Sequence, residues 1–107
     1  MEYRARTNKL KKQLTDPRLR IRVFGADKAK RLAARIDEIS AATTLNEVSR
    51  FPPSRLHALN GDKKGLFAVD ISANYRLLFA GFNNKHEQTL DTTKIVAVVF
   101  INVEDYH

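Results

Sequence analysis

The chain has no cysteine, which removes a disulfide framework, a thiolate zinc site and a cysteine nucleophile from consideration. Histidine is scarce too. His57, His86 and His107 are too scattered for a recognisable metal motif, so no metal and no other cofactor is expected. No apolar window approaches the length of a membrane span, and Met1-Glu2-Tyr3-Arg4-Ala5-Arg6 carries no apolar stretch behind its charges. The expectation is a cytoplasmic protein with no membrane partner. No proline-rich, glycine/serine-rich or repeated block interrupts the 107 residues, so residues 1–107 read as one domain.

Acidic charge is what the first half lacks. Residues 1–50 hold 13 Lys and Arg against 6 Asp and Glu, whereas residues 51–107 hold 6 against 6, so the net charge of +7 is all N-terminal. A basic half on a small domain suits a polyanion, because Lys and Arg contacts to phosphate release counterions and supply sequence-independent affinity for nucleic acid. The same charge also fits an ordinary solvated helix face.

Thr7-Asn8 offers an N-cap for a short helix through Leu10 and Leu14, and Asp16-Pro17 is a second cap with proline at the first helical position. Leu19 to Phe24 alternates as a strand does but follows that cap, and helix is favoured. Asp27 to Ala41 is the clearest helix, with Ala29, Leu32, Ala33, Ile36 and Ile39 on one face. Phe51-Pro52-Pro53 stops regular structure, and Arg55 to Asp62 reads as a loop. Phe67, Val69 and Ile71 alternate with Ala68 and Asp70, a turn falls at Ser72-Ala73-Asn74, and Tyr75 to Ala80 returns as a β-hairpin. Gly81 to Thr93 is loop-like. The β-branched run Ile95 to Ile101 predicts a central strand buried on both faces. With a short strand at Glu2 to Arg6, the order is β-α-α-β-β-β in an α+β fold.

That last strand runs out through Val103 into Glu104-Asp105-Tyr106-His107. These are either a frayed, solvated end or groups gathered for chemistry, and a period of two puts Asp105 and His107 on one face with Tyr106 on the other. His57, between leucines, is either a structural histidine or a proton-transfer group. Arg76 sits in the apolar stretch Tyr75 to Phe79, where it must pair with a carboxylate such as Asp70 or face an anion. Against one reaction these groups make sense together. Cleavage of RNA by its own 2′-hydroxyl needs a base, an acid and positive charge on the phosphorane-like transition state. Imidazoles titrate near neutrality and can divide the first two tasks, arginine meets the third, and Tyr106 can stack on a base or donate a hydrogen bond.

Three separated blocks carry a resemblance. Arg55-Leu56-His57-Ala58-Leu59-Asn60-Gly61-Asp62-Lys63-Lys64-Gly65, then Ala73-Asn74-Tyr75-Arg76-Leu77-Leu78-Phe79, then Val103-Glu104-Asp105-Tyr106-His107 resemble the HigB-like host-killing toxins of the RelE/ParE superfamily. The resemblance implies a strand, two helices and a strongly twisted antiparallel sheet, and a messenger RNA interferase acting in the ribosomal A site. It implies a helix-turn-helix antitoxin encoded alongside, with operator DNA met only through the antitoxin complex. His57, Arg76, Asp105, Tyr106 and His107 fall on the family's active-site positions. Asn60 departs from the family, which often carries a lysine there as a helper to the scissile phosphate; Lys63 or Lys64 either replaces it or is a solvated turn residue. Lys9, Lys11, Lys12, Lys28, Arg31 and Arg35 would meet ribosomal RNA phosphates. Two other functions remain compatible with such a fold: inhibition of DNA gyrase by binding, and an inactive member that binds a partner or operator DNA.

Overall fold

In the computed structural model, which describes residues 1–105, the elements run β1 (Glu2–Ala5), α1 (Asn8–Thr15), α2 (Pro17–Phe24), α3 (Ala26–Ala41), β2 (His57–Ala58), β3 (Phe67–Asp70), β4 (Tyr75–Phe82) and β5 (Ala97–Asp105). Short 3-10 turns at Leu45–Glu47 and Gly61–Lys63 sit in the connections. The helices begin where the sequence places their caps. Thr7 Oγ1 accepts from the Leu10 N–H at 3.1 Å, and the Asp16 carboxylate accepts from the Arg18 and Leu19 N–H groups at 3.0 and 3.3 Å. These are amides that a first helical turn leaves without backbone partners. Pro17 follows at a position where its missing N–H costs nothing. The ambiguous Leu19 to Phe24 stretch is therefore helix.

The sheet order is β1-β5-β4-β3-β2. Neighbours from β2 to β5 are antiparallel, but β1 pairs with β5 in parallel, so the sheet expected to be antiparallel is mixed. A parallel neighbour needs a long crossover, and all the chain between β1 and β5 supplies it. The central strand is β4, where Leu77 to Gly81 are buried without interruption. β5 corrects the expectation of a strand buried on both faces: it starts at Ala97, buries Val98 and Phe100, and leaves Val99 and Ile101 half-buried, because helices cover one side of the sheet. The expected Arg55 to Asp62 loop contains the two-residue strand β2.

On the covered side α3 presents Ala29, Leu32, Ile36 and Ile39 at helical spacing. Leu32, Ile36 and Ile39 pack with Val69, Leu77, Phe79, Val98 and Phe100 of the sheet and with Leu10 and Leu14 of α1. Phe79 meets Phe100 edge-on at 6.2 Å, and Tyr3 lies 5.5 Å from Phe100. The opposite, open face holds a small second cluster of Leu59, Ala68 and Leu78, with Leu66 and Ile101 against it. Leu59 and Leu66 belong to the segment between β2 and β3, closed by the Leu59 N–H donating to Leu66 O at 2.9 Å. Their burial folds the Gly61–Lys63 turn over the open face, and Gly61 takes the left-handed φ of +68° that opens the turn.

One irregularity sets which side chains share that face. Phe79 pairs with Phe100 but Leu78 pairs with Asn102, so Ile101 is the extra residue of a β-bulge. The slip reverses the phase of the rest of β5. Val103 joins the helix-facing core, and Glu104 comes opposite Arg76.

Gly81 lies where β4 passes Ile95. A methyl group there would fall inside the fully buried Ile95 side chain. Gly81→Ala is expected to destabilise by about 1–3 kcal/mol, read as a lower urea midpoint at constant slope. An unshifted midpoint would mean that Ile95 moves aside at no cost.

Candidate functional site

The sheet brings two of the nominated residues, His57 and Arg76, to its open face. His57 pairs with Ala68 and Ala68 with Leu78, and Arg76 lies two residues from Leu78 on β4. Alternation therefore puts both on one side. Strand spacing and rise place their Cα atoms roughly 12 Å apart, close enough for both side chains to reach opposite sides of one small anion.

His57 is half-buried, with Nδ1 2.7 Å from Arg55 O. A carbonyl only accepts, so Nδ1 carries the hydrogen and Nε2 is the atom left to exchange a proton. The segment that carries it is tied down on two sides. The Ser54 hydroxyl, buried, accepts from Arg35 Nη1 at 2.8 Å and donates to Glu38 Oε1 on α3, while Ser54 O accepts the Asp70 N–H at 2.8 Å. Arg55, in the left-handed region at φ +46°, donates from Nε and Nη2 to the Asp70 carboxylate at 2.6 and 3.0 Å. This two-point pair holds the backbone carbonyl that orients His57.

Arg76 donates from Nε and Nη2 to Glu104 Oε1 at 3.0 and 2.5 Å, and Lys63 Nζ lies 3.3 Å from Glu104 Oε2. The carboxylate that sequence reasoning offered to Arg76 was Asp70. It does stand opposite Arg76 in register, but it takes Arg55 in a two-point pair, and Glu104 is the carboxylate that grips the Arg76 guanidinium. Burial pushes the Glu104 carboxyl up, yet the hydrogen bonds and charges of Arg76 and Lys63 together outweigh it and hold the group below its ordinary 4.5. A depressed folded-state pKa adds stability that is present above the unfolded value and is lost as pH falls through the folded one. Glu104→Gln is thus expected to flatten the acid limb of stability as pH falls below the ordinary carboxylate range, measured as urea midpoints; an unchanged limb would deny the pair any role in folding.

The other nominated residues are dispersed. Asp105 is exposed and stands opposite Tyr75, on the helix-facing side of the sheet, one residue out of phase with Arg76. Tyr106 and His107 lie outside the described residues. Lys28 sits with Nζ 4.3 Å from the Tyr75 ring centroid, a cation–π contact. Asn60 is exposed and accepts the Lys63 N–H on its carbonyl at 3.4 Å, and Lys64 is exposed. Lys9, Lys11 and Lys12 are exposed on α1, and Arg31 pairs with Asp27 across one helical turn at 3.5 Å. Arg35 is half-buried and donates to Ser54, because its position on α3 faces the segment before β2.

Beside His57 at the β2 edge is a hollow of about 330 Å³ walled by Leu56, Phe67 and Leu90, with Arg50, Asp91 and Thr92 also lining it. The Thr93 hydroxyl and then its backbone N–H hold the Asp91 carboxyl low, so this rim carries a fixed negative acceptor. A larger hollow of about 580 Å³ lies between β1, Phe82 and Val96 to Val99, and neither His57 nor Arg76 lines it. Among the described residues no group of three or more His, Asp or Glu is placed to hold a metal ion, and no helix is long and apolar enough to cross a membrane.

The sequence pattern of the HigB-like toxin family, described as the RelE-like toxin of type II toxin-antitoxin system HigB, matches residues 5–92. That stretch includes His57 and Arg76 and ends before β5. Endoribonuclease HigB of Proteus vulgaris is 30% identical over 77 residues, which are 72% of this chain and 70% of that protein. The solved structure of a YoeB/ParE toxin from Agrobacterium tumefaciens covers 100% of both chains with a TM-score of 0.61 at 12% identity, a likeness of fold.

Proposed function

The chain belongs to the HigB-like family of RelE-like type II toxins, and from that premise we propose that it is an endoribonuclease that cuts messenger RNA on the ribosome. The observation that carries this reading is that an imidazole and a guanidinium, those of His57 and Arg76, share one open sheet face, with His57 Nδ1 engaged by the Arg55 carbonyl. The similarity to a protein named an endoribonuclease supports it.

The RNA 2′-oxygen attacks the adjacent phosphorus and loses its proton to a base, the bond from phosphorus to O5′ breaks, and an acid protonates O5′. The products are a 2′,3′-cyclic phosphate and a 5′-hydroxyl, and no metal is required. His57, through Nε2, performs one of the proton transfers, and Arg76 meets the charge that builds on the phosphoryl oxygens. The second proton transfer is assigned to His107, with Tyr106 orienting the nucleotide; Asp105, which the register turns to the helix-facing side, is left out of the reaction. A helix-turn-helix antitoxin restrains the enzyme in the cytoplasm.

Expression of the chain alone is expected to arrest growth and leave transcripts cut within coding regions, with rescue by a neighbouring helix-turn-helix gene. DNA damage with intact transcripts would point to a gyrase inhibitor, and absence of arrest to an inactive member; either outcome contradicts the reading. The exposed lysines of α1 are assigned to ribosomal RNA. Replacing Lys9, Lys11 and Lys12 by glutamine is expected to weaken co-sedimentation with ribosomes and reduce the slope of log affinity against log salt by about 2 to 3. An unchanged slope would remove α1 from the interface.

A further inference from the structure

A carboxylate set among cations that must receive an anion opposes binding unless it improves the cations. Glu104 is such a carboxylate. It gathers two positive groups from different parts of the chain, Arg76 from β4 on Oε1 and Lys63 from the Gly61–Lys63 turn on Oε2. The side chains of Arg76 and Glu104 are 15% and 18% exposed and that of Lys63 is 33% exposed, so solvent screens the three only in part. Each is fixed independently. The bulge at Ile101 turns Glu104 to the open face, and burial of Leu59 and Leu66 seats the turn that carries Lys63.

We propose that Glu104 is a positioning residue that mounts Arg76 and Lys63 as a two-point clamp for a phosphodiester, with Lys63 the second cation on the reacting phosphate. This rests on the ribonuclease reading and deepens it. A lysine is a mobile point charge and an arginine a planar fork, and each loses catalytic value when it must find its place during the reaction. Glu104 engages one edge of the guanidinium, which sets the plane of the fork, and draws the ammonium to the same spot.

The clamp separates binding from turnover. Glu104→Gln removes the negative charge while keeping an acceptor of similar shape. Anion affinity is expected to rise about 2–5-fold while kcat for cleavage of ribosome-bound messenger falls about 10-fold. Lys63→Ala is expected to weaken binding of inorganic phosphate about 5–10-fold and lower kcat about 10–100-fold, with most of both recovered in Lys63→Arg. Phosphate binding is followed by NMR at the Arg76 Nε–H, and thermal melts accompany every variant. Phosphate affinity unchanged in Lys63→Ala, or Glu104→Gln losing affinity, turnover and melting temperature in parallel, overturns the clamp. The two readings fail separately. A phosphate site that depends on Lys63 in a protein that cuts no RNA would sink the ribonuclease reading and keep the clamp. Cleavage that needs His57 but ignores both Lys63 and Glu104 would sink the clamp alone.

Discussion

Arg76→Ala is expected to lower single-turnover cleavage of ribosome-bound messenger by about 10²–10³-fold while ribosome association changes little. Arg76 lies on the open face, far in the fold from the exposed lysines of α1, and its charge matters most when the phosphoryl oxygens carry extra negative charge. The substitution also removes two hydrogen bonds from Glu104, whose side chain is 18% exposed. Leaving a largely buried carboxylate with Lys63 as its remaining described partner costs about 1–3 kcal/mol, so the melting temperature should fall as well. Arg76→Ala with Glu104→Gln separates the two effects, since removing both partners relieves the stranded charge. Stability is expected to return in the double variant and cleavage is not. Cleavage by Arg76→Ala within about 3-fold of the parent would remove transition-state stabilisation from this residue.

His57→Ala is expected to cost about 10²–10⁴-fold in kcat with little change in stability. The imidazole is half-buried on a two-residue edge strand and its one described hydrogen bond is to the Arg55 carbonyl, so its loss leaves a carbonyl that water can satisfy. The pH–rate profile distinguishes a proton-transfer group from a packing residue. Loss of His57 should delete one limb of the profile, whereas a packing defect lowers the whole curve without changing its shape. A profile of unchanged shape in an active His57→Ala protein would assign the proton transfer elsewhere.

Local signals made the helices legible in the sequence. Thr7 and Asp16 announce helix starts because a side-chain oxygen must meet N–H groups that the first turn leaves open. The α3 stripe is visible because burial on one face imposes a 3.6-residue period, and the β3–β4 hairpin because alternation and a turn coincide. Long-range relations were not legible. The apolar run in β5 looks the same whether one or both faces are covered, and the covering depends on where three helices dock. The parallel pairing of β1 is decided by a partner more than ninety residues away.

The candidate site divides along the same line. His57 and Arg76 stand out by residue type in apolar surroundings, and the sheet register brings them to one face. Glu104 did not stand out, because counting by twos cannot register a bulge. The extra residue at Ile101 moves Glu104 to the side of Arg76 and Asp105 to the side of Tyr75. The Arg55–Asp70 pair was hidden for a related reason: it joins the segment before β2 to β3, and charge pattern alone offered Asp70 to Arg76.

The most direct test of the account is end-mapping of a messenger on purified ribosomes after addition of the purified protein, with His57→Ala and Arg76→Ala in parallel. The expected result is a cut inside the ribosome-bound message that leaves a 2′,3′-cyclic phosphate and a 5′-hydroxyl, and that either substitution nearly abolishes. Intact messenger, ends bearing a 5′-phosphate, or undiminished cleavage by both variants would contradict the account.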